Sequence, residues 1–280
     1  MPEVYLKIRT LIQDTDSYTS DYVRVIESDS MLASRVMRIA NSDFFGFSRK
    51  VENLTQALNL IGVMQLHDLL LCSLCMRTFT SVPSEVLNLK AFWLYSTQCG
   101  IASRVIAQYS FSPIINHFFT LGLVHEIGHA AIYSQAPELA IQALEDSQMQ
   151  NRSIQNIERE YLGFDYCQLS QSLLKLWKLP ELYQQVASFH LQPKLADSQF
   201  SHEVQIINLA HAICQNPVAG LQHELIAFLR ENEPLLKHLP ANIDEIIIDE
   251  INTHANSVLD MLWPVDSQLL PSSIEVLREN

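Results

Sequence analysis

Glycine restricts this chain more than any other residue: only 7 occur in 280 positions, beside 11 prolines. An all-β sandwich or barrel turns about every 8–12 residues and needs turn formers to do so. So few of them leave long uninterrupted segments, in which apolar residues recur at spacings of three and four, the helical repeat. Tyr5, Ile8, Leu11 and Ile12 share one side of a first helix, with Pro2 suited to its first turn. Tyr22, Val25 and Ile26 repeat the spacing over Asp21–Ser28. Leu32, Val36, Ile39 and Ala40 do so over Ser30–Ser42, behind Asp29 or Ser30 as N-cap. Asn53 reads as the N-cap of Leu54–Ile61, and Gly62 as its stop. Further helices are expected over Val63–Phe79, Leu89–Tyr109, Asn116–His129, Pro137–Leu144, Ser153–Tyr161, Cys167–Trp177, Glu181–His190 and Val204–Cys214. The triplet Ile246-Ile247-Ile248 has strand propensity, but its acidic flanks and helical surroundings predict a helix over Ile243–Ile251. The expected fold class is all-α: two helical lobes, 1–87 and 88–215, with a helical extension over 216–280 packed on one or both. Ser81-Val82-Pro83-Ser84 reads as the linker between the lobes.

Apolar residues make up 48% and charged residues 18% of the chain, enough to build a core and too little charge for disorder. The net charge of -13 opposes phosphate backbones and anionic lipid, so neither nucleic acid nor membrane is expected as a partner. No apolar run approaches the roughly 18 residues of a membrane span, and Met1–Tyr5 does not start a basic-then-apolar signal. A cytoplasmic location is expected. The five cysteines, Cys72, Cys75, Cys99, Cys167 and Cys214, are odd in number and suit free thiols in a reducing compartment.

The chemistry-bearing motif is His125-Glu126-Ile127-Gly128-His129. An imidazole nitrogen beside a carboxylate oxygen suits a divalent cation. Neighbouring side chains on a helix diverge by about 100°, so both can ligate only near a helix end or across two ions. Gly128 would admit a close backbone or substrate. Taken alone, the pair is a weak signal and reads more readily as a capping histidine and an exposed glutamate.

Several stretches in order widen the context: Ile26–Asp29, Leu32–Ser42 with Phe44-Phe45-Gly46, Ala57–Gly62, Phe92–Ser96, Leu121–Gly128, Glu158–Glu160 with Gly163-Phe164-Asp165, Trp177–Pro180 and Asn208–Ala210. Together the set, spanning residues 1 to about 215, resembles the HDOD family, the HD-related output domain of bacterial signalling proteins. That resemblance implies kinship with HD-type metal-dependent phosphohydrolases, whose histidines and aspartates bind one or two metals. On that comparison the first ligand falls at Tyr95, the His-Asp pair at His125-Glu126, a further histidine at Tyr166, a histidine pair at Phe189-His190 and the closing aspartate at His211. His129 stands where a phosphate-binding cation is common. The ligand set left is His125, Glu126, His190 and His211, with Tyr95, His129 and Tyr166 as relic positions.

Three other features have plainer readings. His67-Asp68 is a literal His-Asp pair outside the implied ligand set, expected in a surface stripe or a helix–helix hydrogen bond. Cys72-Ser73-Leu74-Cys75 lacks the second pair a zinc ribbon needs and is expected as buried thiols. Arg35, Arg38, Arg49 and Lys50 form the one basic concentration, a solvated face or a docking surface for an acidic partner or nucleotide. The expected function is a non-catalytic bacterial signalling module acting through a protein partner, with no resident cofactor. The alternative is a divergent phosphohydrolase of nucleotides or phosphodiesters using Zn, Fe or Mn. A small-molecule or nucleotide ligand held without turnover is a third option.

Overall fold

The computed structural model describes residues 3–14, 16–45, 50–79, 88–110, 112, 114–215, 223–232 and 236–263. The proposed linker Ser81–Ser84, Arg49, Gly46-Phe47 and everything after Trp263 lie outside them. Among the described residues every regular element is helical and no strand occurs. The N-terminal helices are α1 (Glu3–Gln13), α2 (Thr19–Glu27), α3 (Ser30–Ala40), α4 (Leu54–Ile61) and α5 (Val63–Thr78). There follow α6 (Leu89–Tyr109), α7 (Ile115–Val124), α8 (Ile127–Gln135), α9 (Pro137–Gln150), α10 (Ile154–Leu162), α11 (Tyr166–Leu176), α12 (Glu181–Phe189) and α13 (Ser201–Gln215). The last two are α14 (His223–Asn232) and α15 (Ile243–Leu262).

Side-chain caps set several starts. Asp29 Oδ1 accepts the Leu32 N–H at 3.0 Å, which settles Asp29 rather than Ser30 as the cap of α3. Asn53 Oδ1 accepts the Gln56 N–H at 2.9 Å, and α4 ends at Gly62 as expected. Asp165 and Gln168 cap each other's backbone N–H groups at the start of α11.

α6 is the central rod, in contact with α7, α13 and α15. Its approach to α7 is close because Gly122 has no side chain: a Cβ there would meet Cys99 O and Ser103 Oγ at 2.5 Å. One apolar core runs from Tyr5 to Leu262, with a satellite cluster of Ile132, Tyr133, Ala140, Tyr166 and Cys167. The isoleucine triplet is helical. Ile243, Ile247, Ile251, Val258, Leu259 and Leu262 form the buried side of α15, which lies on α3, α5 and α6. α15 thus packs on two of the N-terminal helices and on α6.

Two expectations need correction. The single helix over Asn116–His129 is broken at His125-Glu126, between α7 and α8. Glu126, at φ -109° and ψ 22°, leaves the helical conformation so that α8 can turn against α11. The basic cluster is not one exposed patch either. Arg35 is buried and donates to Ser73 Oγ, whose hydroxyl is 3.5 Å from Leu262 O. Arg38 is exposed but donates to Asp260 O at 3.2 Å. Both arginines therefore address the carbonyl end of α15, where the helix dipole is negative. Of the four expected docking residues, Lys50 remains exposed with Arg38.

Candidate functional site

The break between α7 and α8 resolves the 100° problem. His125 is the last residue turning with α7, and Glu126 starts α8 with a non-helical backbone. α8 is held to α11 at Gly128, whose N–H donates to Ser170 Oγ at 2.8 Å, and a Cβ on Gly128 would overlap Tyr166 O. His190 ends α12, with its carbonyl capped at 2.7 Å by the Asn208 amide of α13. His211 lies within α13. These four side chains come together from three places in the fold, all buried. Their ligand atoms lie within 4.8 Å of one another.

The tautomers are set by the backbone. His125 Nδ1–H donates to Gly122 O at 2.7 Å, and His190 Nδ1–H donates to Ala187 O at 3.1 Å. A carbonyl can only accept, so each Nε2 keeps its lone pair and faces the cluster. His125 Nε2 is 3.3 Å from His211 Nδ1. Glu126 Oε1 is 3.5 Å from His211 Nδ1 and 3.9 Å from His190 Nε2. Ligands about 2.0–2.1 Å from one tetrahedral ion are roughly 3.3 Å apart, so small movements would seat one cation. α7 and α12 also direct their C-termini here, and that dipole end favours positive charge.

Tyrosines already occupy two of these nitrogens. Tyr166 O–H lies 3.3 Å from His190 Nε2, and Tyr95 Oη lies 3.0 Å from His211 Nδ1. On the other side of His211, Gln215 Nε2 is 2.8 Å from Nε2. An amide N–H there leaves the His211 proton on Nδ1. The opposite amide orientation would accept from Nε2–H and free Nδ1 for a cation. His129 is stacked on Tyr166 with ring centres 3.7 Å apart, and on Tyr133 at 5.7 Å. Its nearest carboxylate, Glu158 Oε1, is 3.5 Å away, while Glu158 Oε2 accepts the Tyr166 N–H at 2.8 Å.

Burial governs the protonation states. It pushes His129 and His190 down to about 3 and His211 to about 4, and holds His125 well below the usual imidazole range. All four are neutral near pH 7. Burial raises Glu126 to about 7, against a hydrogen bond from Tyr166 that lowers it. Burial also raises Glu158 to about 7.

The other candidates are placed as follows. Cys72 and Cys75 are buried free thiols, as expected. His67-Asp68 is no surface stripe: both are buried, and Asp68 pairs with His117. His117, Gln215, Glu158 and Asn208 were missed as polar partners. Gln215 was findable, one turn after His211 on the same helix.

The family model for the HDOD domain matches residues 1–193, a shorter span than the expected 1–215 and one that stops before His211. An uncharacterized protein of Treponema pallidum (strain Nichols) is 22% identical over 236 residues, or 82% of this chain. The chain spans 45% of the length of that relative. Among solved structures, an HDOD domain protein of unknown function from Geobacter sulfurreducens superposes with a TM-score of 0.70 at 18% identity, covering 97% of this chain and 93% of that one. A Shewanella amazonensis SB2B protein provisionally named a phosphohydrolase gives a TM-score of 0.70 at 20% identity, covering 94% and 93%. A Marinobacter aquaeolei VT8 protein provisionally named for signal transduction gives 0.67 at 19%, covering 93% of this chain and 58% of that one.

Proposed function

Because this chain belongs to the HDOD domain family, we propose that it is a regulatory signalling module that works through protein contacts, around a site that does not hydrolyse phosphate esters. The observation that carries this reading is the placement of Tyr95 and Tyr166 on the nitrogens of His211 and His190. Each phenol stands at a position where the related enzymes are expected to carry a ligand; Tyr166 faces the lone pair of His190 Nε2, and Tyr95 sits on the His211 nitrogen that a metal would need. His129 adds to it. Stacked between two tyrosines and neutral, it offers a phosphoryl group no charge.

The residues nevertheless fit one divalent ion. His125, Glu126, His190 and His211 would hold it, a three-nitrogen, one-oxygen set suited to Zn, Fe or Mn. Such an ion, when bound, supplies Lewis acidity and an acidified water. The chain's own part is to hold His125 and His190 by their Nδ1–H bonds and to keep Glu126 out of bulk water. This geometry favours a second reading, a divergent hydrolase of a nucleotide or phosphodiester. The test is release of phosphate or nucleotide from a panel of such esters by protein purified without chelator, with Zn, Fe or Mn added. No metal-dependent turnover is expected. Turnover that disappears in His125→Ala would overturn the regulatory reading in favour of the hydrolase.

A further inference from the structure

A second buried polar cluster lies outside the candidate site. Asp68 of α5 is only 2% exposed. Its Oδ2 is 2.6 Å from Nδ1 of His117 on α7, and its Oδ1 accepts the Tyr183 hydroxyl of α12 at 3.0 Å. His67 Nδ1 stands 3.4 Å from the same Oδ1, and the Tyr5 ring of α1 lies 5.2 Å from the His67 ring. A buried carboxylate is costly unless donors surround it, and here they come from three helices. His117 keeps 26% of its side chain exposed, so protons reach the cluster through it.

The positions of the two main donors matter. His117 is eight residues before His125 on α7, and Tyr183 is seven before His190 on α12. At a rise of about 1.5 Å per residue, these are rigid arms of roughly 12 and 10 Å. One carboxylate from the N-terminal helices therefore holds both helices that end in cluster histidines, and α7 and α12 also touch each other. Close-packed helices pass such a displacement on rather than absorb it.

We propose that Asp68 is a coupling group: by holding His117 and Tyr183 it sets the relative positions of His125 and His190, and loss of the His117 proton changes that setting. The proposal deepens the regulatory reading of the cluster and rests on His125 and His190 being its working residues. The groups that face the pair are His67 and Cys72 from α5, Tyr5 with Arg9 nearby from α1, and Tyr183 from α12. α6 adds Cys99 behind α7, and α13 adds His202 against Phe118. Of these, only Asp68 sets a carboxylate against His117. Its hydrogen bond raises the imidazole above its ordinary value, and His117 and His67 hold Asp68 below the usual carboxylate range. The ion pair is therefore present below that raised value and is lost as pH rises through it.

The test follows ring nitrogens by NMR in the full chain labelled with ¹⁵N-histidine, from about pH 5.5 to 9. His125 and His190 are expected to show an inflection at the His117 midpoint. In His117→Gln, which keeps a donor but does not titrate, that inflection should vanish. In Tyr183→Phe it should vanish at His190 and persist at His125. An inflection that survives His117→Gln belongs to Glu126 and overturns the proposal, as do His125 and His190 resonances that ignore the His117 midpoint. The readout needs neither metal nor turnover, so the hydrolysis assay can fail or succeed without deciding it.

Discussion

At the scale of the residue, Tyr95 and Glu126 decide what the cluster can hold. Tyr95 stands on a nitrogen of His211 that a cation would use. Tyr95→Phe removes that competitor, and a hydrogen bond is worth about 0.5–1.5 kcal/mol net. Affinity for Zn or Mn, read by competition with a coloured chelator, should rise by up to roughly tenfold. Glu126 is a carboxylate raised from 4.5 to about 7 by burial. The folded chain keeps a proton that the unfolded chain releases, so this stabilisation is complete below 4.5 and is lost as pH rises through about 7. The full gap is worth roughly 3 kcal/mol. Glu126→Gln should remove that loss, so that urea denaturation shows the variant gaining on the native chain between about pH 5 and 7.5. The four residues whose side chains meet in the cluster were named from the sequence through family resemblance. Of the hydrogen bonds on them, that of Gln215 was findable, one turn from His211 on the same helix, whereas those of Tyr95 and Tyr166 gain meaning only when helices meet.

At the scale of the element, periodicity and caps carried most of the information. Asn53 and Gly62 bound α4 as expected, and α6 runs over the expected Leu89–Tyr109. The break at His125-Glu126 was not legible, since the apolar pattern runs through it. Its cause is α11, about forty residues on, where Gly128 meets Tyr166 and Ser170. Gly128→Ala should therefore push α8 from α11 and cost about 3 kcal/mol, the upper range for overpacking, read as a lower denaturation midpoint. Of the two readings of His67-Asp68, the helix–helix hydrogen bond is the one formed, and the sequence left the choice open for a related reason. α5 is apolar nearly all round, so no face of it marks itself as exposed, and the partner that buries Asp68 is His117, some fifty residues later.

At the scale of the whole molecule, four neutral histidines share one interior with two raised carboxylates. His129 and His190 at about 3, His211 at about 4 and His125 lowered in the same direction each favour the fold above 6.5 and lose that contribution as pH falls below it. Glu126 and Glu158 act oppositely between 4.5 and about 7. Each group changes stability by about 1.4 kcal/mol per pH unit, and four outweigh two. The chain should be markedly less stable at pH 5 than at pH 7, which thermal unfolding at the two values measures. The all-α class followed from the shortage of glycine, and α15 was foreseen as a helix. Its anchorage was not. Arg35 and Arg38 look outward on a sequence wheel, and only the assembled molecule turns them onto the carbonyls of Asp260 and on Ser73 beside Leu262. That anchorage has a consequence in time. α3 leaves the ribosome about two hundred residues before α15, so the bed formed by α3, α5 and α6 must stay uncovered until α15 has emerged. The chain can complete its core only after translation has passed Leu262, and until then a chaperone has an apolar groove and a buried-to-be arginine to guard.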